Sequence, residues 1–109
     1  MSGITTHVLD TSLGRPAAGV RVTLEKHDGN YWTLAGSGET DNDGRCRTLL
    51  DRPLQAGIYR LTFATGVYFG EGKTFFPEAV IVFDVGDPLQ HYHVPLLVSP
   101  YGYSTYRGS

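Results

Sequence analysis

Two histidines stand at alternate positions in the segment "HYHVPLLV". His91 and His93 flank Tyr92, and an apolar run begins at Val94. Alternate residues of a strand point to the same side, so His91 and His93 share one face while Tyr92 and Val94 lie on the more apolar face. Two neighbouring imidazoles can bind a metal, act as an acid–base pair, or be ordinary solvated surface residues. The pattern alone leaves these three interpretations open.

Three other residues offer polar chemistry. His7 lies between Thr6 and Val8, where a structural histidine is the alternative to a catalytic one. Arg45 ends the turn sequence "TDNDGR", which would direct its guanidinium group away from the sheet, although a solvated turn arginine fits equally. Arg47 is a rival for the same role, and spacing alone does not rank the two.

A zinc site is the first hypothesis that the histidines suggest. His7, His91 and His93 would supply three imidazoles and leave one open coordination position. The nearby arginines disfavour a second cation, and the histidine strand contains no Asp or Glu to orient a ligand. Cys46 has no neighbouring histidine in sequence, and no serine stands in a nucleophile-elbow context. We therefore expect no metal, no other cofactor and no nucleophilic triad.

Short segments in which apolar residues recur at every second position must hold these side chains in place. Turn sequences rich in Gly, Pro, Asn and Asp separate them, and "HDGN" joins two of them as a hairpin. Only residues 68–76 could hold a helical turn, which Pro77 would end. The pattern predicts an all-β, two-sheet sandwich of seven to eight strands with at most one short helix, forming a single domain over 1–109. The expected strands cover residues 4–9, 20–26, 31–40, 46–50, 57–65, 79–85, 91–98 and 103–106.

Charge and composition exclude several partners. The 109 residues include 9 Lys and Arg against 11 Asp and Glu, so no basic field exists to bind nucleic acid. No stretch approaches the roughly 20 apolar residues that span a bilayer, and the N-terminus does not resemble a signal peptide. The single cysteine cannot form an internal disulfide. We expect a cytoplasmic protein that binds neither nucleic acid nor membrane.

Four motifs resemble those of one known family. They are "THVLD", "GRPAAGV", "TDNDGR" and, most specifically, "HYHVPLLVSPYGYSTYRGS" at the end of the chain. Together they resemble the 5-hydroxyisourate hydrolases, the transthyretin-related enzymes of urate breakdown, over essentially the whole chain. The hormone-carrying transthyretins share a similar strand before the tail but lack the terminal Tyr-Arg-Gly-Ser.

The resemblance implies a site, a substrate and an assembly. The substrate would be a small, planar, oxidised purine whose ring is opened at an amide carbonyl by activated water. The assembly would be a homotetramer, a dimer of dimers, with active sites in the channel between the dimers. The implied catalytic residues are His7, Arg45 and His93, and the implied substrate-binding residues are His7, Arg45, Tyr106, Arg107, Gly108 and Ser109.

The implied roles follow from the chemistry of the side chains. One of His7 and His93 would be the general base on water, while the other would hold substrate or return the proton. Arg45 would bind a carbonyl or enolate edge and stabilise developing charge. Tyr106 and Arg107 would close the pocket. The terminal residue would add a hydroxyl and a carboxylate to orient a histidine, and the role of His91 stays open.

Two other functions compete with hydrolysis. A transthyretin-like carrier would bind a small aromatic ligand in the same channel without turnover, but the terminal Tyr-Arg-Gly-Ser disfavours it. An interaction or carbohydrate-binding sandwich module is the second, and such modules usually belong to longer chains. The implied site reaches the last residue, so we expect nothing to follow it.

Overall fold

The fold consists of short strands and one helical turn. A computed structural model describes residues 3–109. Within that range no helix is both long enough and apolar enough to cross a membrane. The elements are β1 (Gly3–Asp10), β2 (Arg15–Pro16), β3 (Arg21–Asp28), β4 (Tyr31–Glu39), β5 (Arg45–Cys46), β6 (Gly57–Phe63), α1 (Thr65–Phe69), β7 (Ala79–Val85), β8 (His91–Ser99) and β9 (Gly102–Thr105).

The strands form two sheets that enclose one core. Sheet A has the order β2-β1-β8-β9, with the short β5 also paired to β1. Sheet B has the order β4-β3-β6-β7. β1 and β8 run parallel in sheet A, whereas the other pairs are antiparallel. The buried apolar residues come from both sheets. The predicted all-β sandwich with at most one short helix is confirmed.

Strand alternation decides which side chains face away from the core. In β1, Ile4, Thr6 and Val8 are buried, and the residues between them are only partly buried. In β8, His91 and His93 lie on the outer face, opposite the buried core positions. The faces predicted for the two histidines are therefore correct. Since β1 and β8 are neighbours, their outer residues meet on the outer surface of sheet A.

The helical turn lies upstream of its predicted position. The expected segment was 68–76, but α1 is already complete before Gly70, whose φ is +102°. Gly72 also has a positive φ, of +74°, so the glycines hold an irregular loop instead of a helix. The Tyr68 hydroxyl donates to Asp10 Oδ2 at 2.7 Å and ties the turn to β1. The helix propensity of this segment is weak, so the contact with β1 fixes the position of the turn.

The apolar run at 46–50 is mostly not a strand, contrary to the prediction. Only its first residue belongs to β5, although Leu49 is fully buried. A Cβ at Gly36 would come within 1.6 Å of the Leu49 carbonyl oxygen, so this segment lies directly on a bare glycine of β4. Cys46 and Leu49 therefore fill the core while Arg47 and Thr48 are exposed, and the backbone of this segment does not extend the β1 ladder.

Candidate active site

A polar cleft opens on the outer face of sheet A where β1, β5 and β8 meet. Its volume is about 360 Å³. Residues of β1, β5 and β8 line it, together with Arg47 after β5 and the last residue of the chain. The polar side chains that line it are Thr5, Arg45, Arg47, His91, His93 and Ser109.

Strand register brings distant motifs of the sequence to this cleft. The parallel pairing of β1 with β8 places Thr5 opposite His93. The antiparallel pairing of β1 with β5 places His7 opposite Arg45. His7 is therefore two positions along β1 from the residue that faces His93. The three catalytic residues implied by the sequence thus lie on adjoining strands of one face, with His7 just beyond the lining of the cleft.

The turn before β5 is built to hold Arg45 in position. Asp41 Oδ1 accepts hydrogen bonds from the backbone N–H groups of Asp43 at 2.9 Å and Arg45 at 3.0 Å. The Arg45 bond is the largest cause of a lowered pKa for Asp41, so the carboxylate stays ionised. Gly44 has a φ of +76°, and a Cβ there would lie 2.4 Å from the Val8 carbonyl oxygen. The turn therefore requires glycine and packs directly on β1.

The tautomer of His7 follows from its hydrogen-bond partner. His7 Nε2 lies 2.9 Å from the backbone carbonyl oxygen of Asp43. A carbonyl oxygen only accepts, so Nε2–H donates this bond. The neutral ring then carries its lone pair on Nδ1, which is the nitrogen that can accept another proton.

His93 is held in its neutral form. Burial is the largest cause of its lowered pKa. The charges of His7, His91 and Arg45 lower the pKa further, and a hydrogen bond with the backbone of Thr5 partly opposes them. A pKa below the ordinary histidine value of about 6.5 leaves the imidazole unprotonated at neutral pH. His93 can therefore accept a proton from a bound molecule.

The end of the chain packs against His93. The Gly108 backbone N–H donates to the His93 carbonyl oxygen at 2.8 Å. A Cβ at Gly108 would lie only 2.5 Å from His93 Cδ2, so any larger residue would push against the ring. The next residue, Ser109, lines the cleft. Gly108 and Ser109 thus lie at His93 and in the lining of the cleft, respectively.

In the single chain, Tyr106 and Arg107 lie outside the cleft, and their part in closing the pocket stays a prediction. The guanidinium carbon of Arg107 lies 4.5 Å from the ring centroid of Tyr92, and its Nη2 donates to Gln90 Oε1 at 2.9 Å. Tyr106 lines a separate groove beside Phe83 of β7. Tyr92 is on the core face of β8, so this groove and the cleft lie on opposite sides of that strand. Stacking on Tyr92 explains the placement of Arg107.

The cleft is electropositive. It is lined by two arginines and two histidines, and no acidic side chain lines it. Arg47 Nη1 lies 3.6 Å from Asp41 Oδ2 in an exposed pair, which contributes little. Within residues 3–109, Arg45 forms no salt bridge, and no three His, Cys, Asp or Glu side chains are grouped to hold a metal ion. The arrangement suits an anionic or carbonyl-rich molecule.

Sequence reasoning missed one polar residue of the cleft. Thr5 Oγ1 lies 2.9 Å from His91 Nε2 and 2.9 Å from His93 Nδ1. The available signal was alternation, because Thr5 and His7 share the outer face of β1. His91 and Arg47, whose roles the sequence left open, also line the cleft.

Comparisons with known proteins agree on one family. The family model for the "HIUase/Transthyretin family" matches residues 4–108. A 5-hydroxyisourate hydrolase of Salmonella typhimurium is 50% identical over 109 residues, covering 97% of this chain and 80% of its own. Another of Caulobacter vibrioides is 49% identical over 115 residues and covers both chains completely.

Similar solved structures include both a 5-hydroxyisourate hydrolase and transthyretins. The 5-hydroxyisourate hydrolase of Klebsiella pneumoniae matches with a TM-score of 0.86 and 42% identity, covering 99% of this chain and 100% of that one. Transthyretin from Sparus aurata matches with a TM-score of 0.90 but only 30% identity, covering 99% and 97%. The backbone is thus common to both kinds of protein, while the sequence is more similar to the hydrolases. The chain belongs to the HIUase/transthyretin family.

Proposed function

We propose that this protein hydrolyses 5-hydroxyisourate in urate catabolism and that the cleft of sheet A is its active site. The observation that carries the proposal is the convergence of Arg45 and His93 in one electropositive cleft. Curated relatives of 49% and 50% identity bear the name 5-hydroxyisourate hydrolase. A fold shared with carriers does not decide function, so the argument depends on the side chains of the site.

The cleft suits a small planar substrate with several carbonyl groups. Arg45 presents a fork of N–H donors that no carboxylate of the described chain occupies in a salt bridge. Arg47 contributes a second guanidinium group beside it. Such donors bind a carbonyl or enolate edge and strengthen their hold as negative charge develops on oxygen. Arg45 is therefore assigned to the oxyanion.

Proton transfer is assigned to the histidines. Neutral His93 takes a proton from water as the oxygen of that water attacks the amide carbonyl carbon. The resulting oxyanion is stabilised by Arg45. Collapse of the intermediate breaks the C–N bond, and the imidazolium returns its proton to the departing nitrogen. His7, with Nε2–H engaged by Asp43, offers Nδ1 to hold or relay a substrate proton.

The tail enters the proposal in two ways. Gly108 and Ser109 contact His93 and the cleft, respectively, and so support a direct role for the last residues. Tyr106 and Arg107 are proposed to bind substrate on the strength of the family resemblance. In the single chain, both residues line the groove beside Tyr92.

A homotetramer, as a dimer of dimers, is part of the proposal. β7 and β9 are edge strands of sheets B and A within the described chain, and both border the groove beside Tyr92. Two valines of β7, Val80 and Val82, are 42% and 57% exposed. Exposed apolar edges favour pairing with another copy. Sedimentation of the pure protein tests this assembly, and a fully active monomer would exclude it.

A cytoplasmic location completes the proposal. The single cysteine, Cys46, is buried, and burial raises the pKa of its thiol. Such a thiol is a packing residue that needs no oxidising compartment. The slight net negative charge of −2 gives no support for binding to nucleic acid or to an anionic membrane surface.

The alternative function is a carrier without turnover. It has support from the solved fish transthyretins, one of them in complex with thyroxine, with a TM-score of 0.88 and 31% identity. The deciding experiment adds freshly generated 5-hydroxyisourate to the pure protein and follows its ultraviolet absorbance against the spontaneous decay. We expect decay that is faster in proportion to protein concentration. Decay at the spontaneous rate, with an aromatic ligand bound, would establish the carrier instead.

A further inference from the structure

The Thr5 hydroxyl lies between two imidazole rings. Its Oγ1 is 2.9 Å from His91 Nε2 on one side and 2.9 Å from His93 Nδ1 on the other. His91 is exposed to solvent, whereas His93 is partly buried. The hydroxyl therefore links the assigned base of the cleft to a second histidine that has no assigned role.

The number of available protons limits how these three hydrogen-bonded groups can be protonated. A hydroxyl group has one proton to donate and can accept through its lone pairs. It cannot donate to both imidazole nitrogens at once, so at least one of them must carry a proton. If the hydroxyl donates to His91 Nε2, then His93 Nδ1–H donates to the hydroxyl oxygen. A neutral His93 then has its lone pair on Nε2.

We propose that Thr5 is a positioning residue that, by donating to His91, holds His93 as the Nδ1–H tautomer and leaves Nε2 to accept the proton of water. The proposal rests on the role of His93 in the proposed function. The role is analogous to that of a group that orients a catalytic imidazole through its second nitrogen. The Thr5 backbone is another hydrogen-bond partner of His93, so removal of the hydroxyl alone is the informative change.

The position of the proton on His91 decides the direction of these hydrogen bonds. If His91 Nε2 carried a proton, it would donate to Thr5, and the hydroxyl would be free to donate to His93 Nδ1. His93 could then carry its proton on Nε2, where it could not act as a base. The proposed arrangement therefore requires that His91 accept the hydroxyl proton at Nε2.

Other charged groups face His93 and must be kept constant in any test. They come from the elements packed around His93, and all are cationic when protonated. They are His7 on β1, Arg45 on β5, Arg47 just after β5, and His91 on β8. The variants below change none of these groups except His91.

The kinetic test removes the hydroxyl and then restores it. Thr5→Val keeps the branched shape that suits a strand, and we expect kcat to fall about 10- to 100-fold with little change in KM. Thr5→Ser should restore kcat, and His91→Leu, which removes the acceptor of the hydroxyl proton, should lower it. Thr23→Val, a partly buried position of β3 on sheet B, is the matched control. Wild-type kcat in Thr5→Val, with normal melting, would overturn the proposal.

A second measurement reads the tautomer without requiring turnover. The ¹⁵N chemical shifts of His93, assigned by their loss in His93→Gln, distinguish a protonated Nδ1 from a protonated Nε2. We expect Nδ1–H in the wild type and in Thr5→Ser, and a shift towards Nε2–H in Thr5→Val. An unchanged tautomer in Thr5→Val would overturn the proposal. A changed tautomer in a protein that does not hydrolyse 5-hydroxyisourate would refute the proposed function and leave the link intact.

Discussion

The outer faces of the two sheets both carry arginine and threonine side chains, but the arginine has different partners on each face. On sheet B, Arg60 Nη2 lies 2.8 Å from Glu25 Oε1, and its guanidinium carbon lies 4.2 Å from the ring centroid of Trp32. On sheet A, Arg45 faces the cleft beside His93. No salt bridge of Arg45 exists within residues 3–109.

This difference separates a structural arginine from one that is available to substrate. The carboxylate and the aromatic ring balance the charge of Arg60, so that surface has little left to offer a ligand. In the cleft, Arg45 is held by a hydrogen bond from its backbone N–H to Asp41 Oδ1, while its guanidinium group forms no salt bridge within residues 3–109. An active surface is therefore recognised by charged side chains that have no ion-pair partner within the protein.

Removal of the tail is expected to have the largest effect on turnover. Deleting residues 106–109 removes the Gly108 bond to His93, the Ser109 wall and the stacking of Arg107 on Tyr92, but it leaves the apolar core residues of β8 in place. We expect turnover to fall at least about 10³-fold, because several contacts are lost and each is worth roughly 10² to 10³. Hydroxyisourate turnover measures the site.

Melting and sedimentation provide the controls for the deletion. A truncated protein that melts normally and retains full turnover would exclude the tail from the site. Loss of assembly together with activity would show that the tail is structural instead.

Exchanging the two arginines for alanine tests the comparison directly. Arg45→Ala should lower kcat/KM about 10²- to 10³-fold, because it removes the donor assigned to the oxyanion. Arg60→Ala should leave kcat/KM within about threefold and cost no more than about 1 kcal/mol of stability, as is typical of a partly exposed pair. Steady-state kinetics and thermal melting of both variants distinguish these outcomes. Equal effects of the two substitutions on turnover would contradict the account.

Two glycines near the end of the chain provide a matched pair. Gly108→Ala would place a Cβ 2.5 Å from His93 Cδ2, so the ring must shift. Displacement of a reacting group by about 1 Å can cost roughly 10² in rate, and we expect a 10- to 100-fold loss. Gly102→Ala meets nothing closer than Ser99 Oγ at 3.9 Å and should behave as wild type. Similar kinetics for the two variants would show that the packing of Gly108 on His93 is irrelevant.

The smallest expected effect is on stability as a function of pH. The pKa of His93 is lower in the folded protein than the unfolded value of about 6.5, so the unfolded state binds more protons below that pH. The stabilisation from neutral His93 is therefore complete above the unfolded pKa and is lost as pH falls through the folded one. His93→Gln should show a weaker loss of melting temperature below about pH 6.5. An identical pH dependence in the two proteins would refute the lowered pKa.

Sequence patterns predicted those parts of the structure that depend on local alternation. The period of two assigned the faces of β1 and β8 and thus put His91 and His93 outside the core. The resemblance then selected Arg45 over Arg47. The helical turn was misplaced because a contact between Tyr68 and Asp10, far apart in sequence, helps to determine where it forms.

Two features of the site depend on register and on long-range packing. Thr5 contacts His93 only because β1 and β8 pair in parallel with those residues opposite each other, and no local pattern encodes that pairing. Arg107 turns to Tyr92 because an aromatic ring of β8 is within reach of the tail. Both features become visible only when the strands are assembled.

Replacement of the assigned base tests the central claim most directly. His93→Gln removes the imidazole from the cleft, while His27→Gln removes one from β3 of sheet B, where it lies beside Trp32. Hydroxyisourate turnover by the two pure variants should differ by about 10² or more, since a positioned acid–base group contributes roughly 10² to 10⁴ in rate. His27→Gln should match the wild type. Wild-type turnover in His93→Gln would show that the cleft of sheet A does not perform the hydrolysis as described.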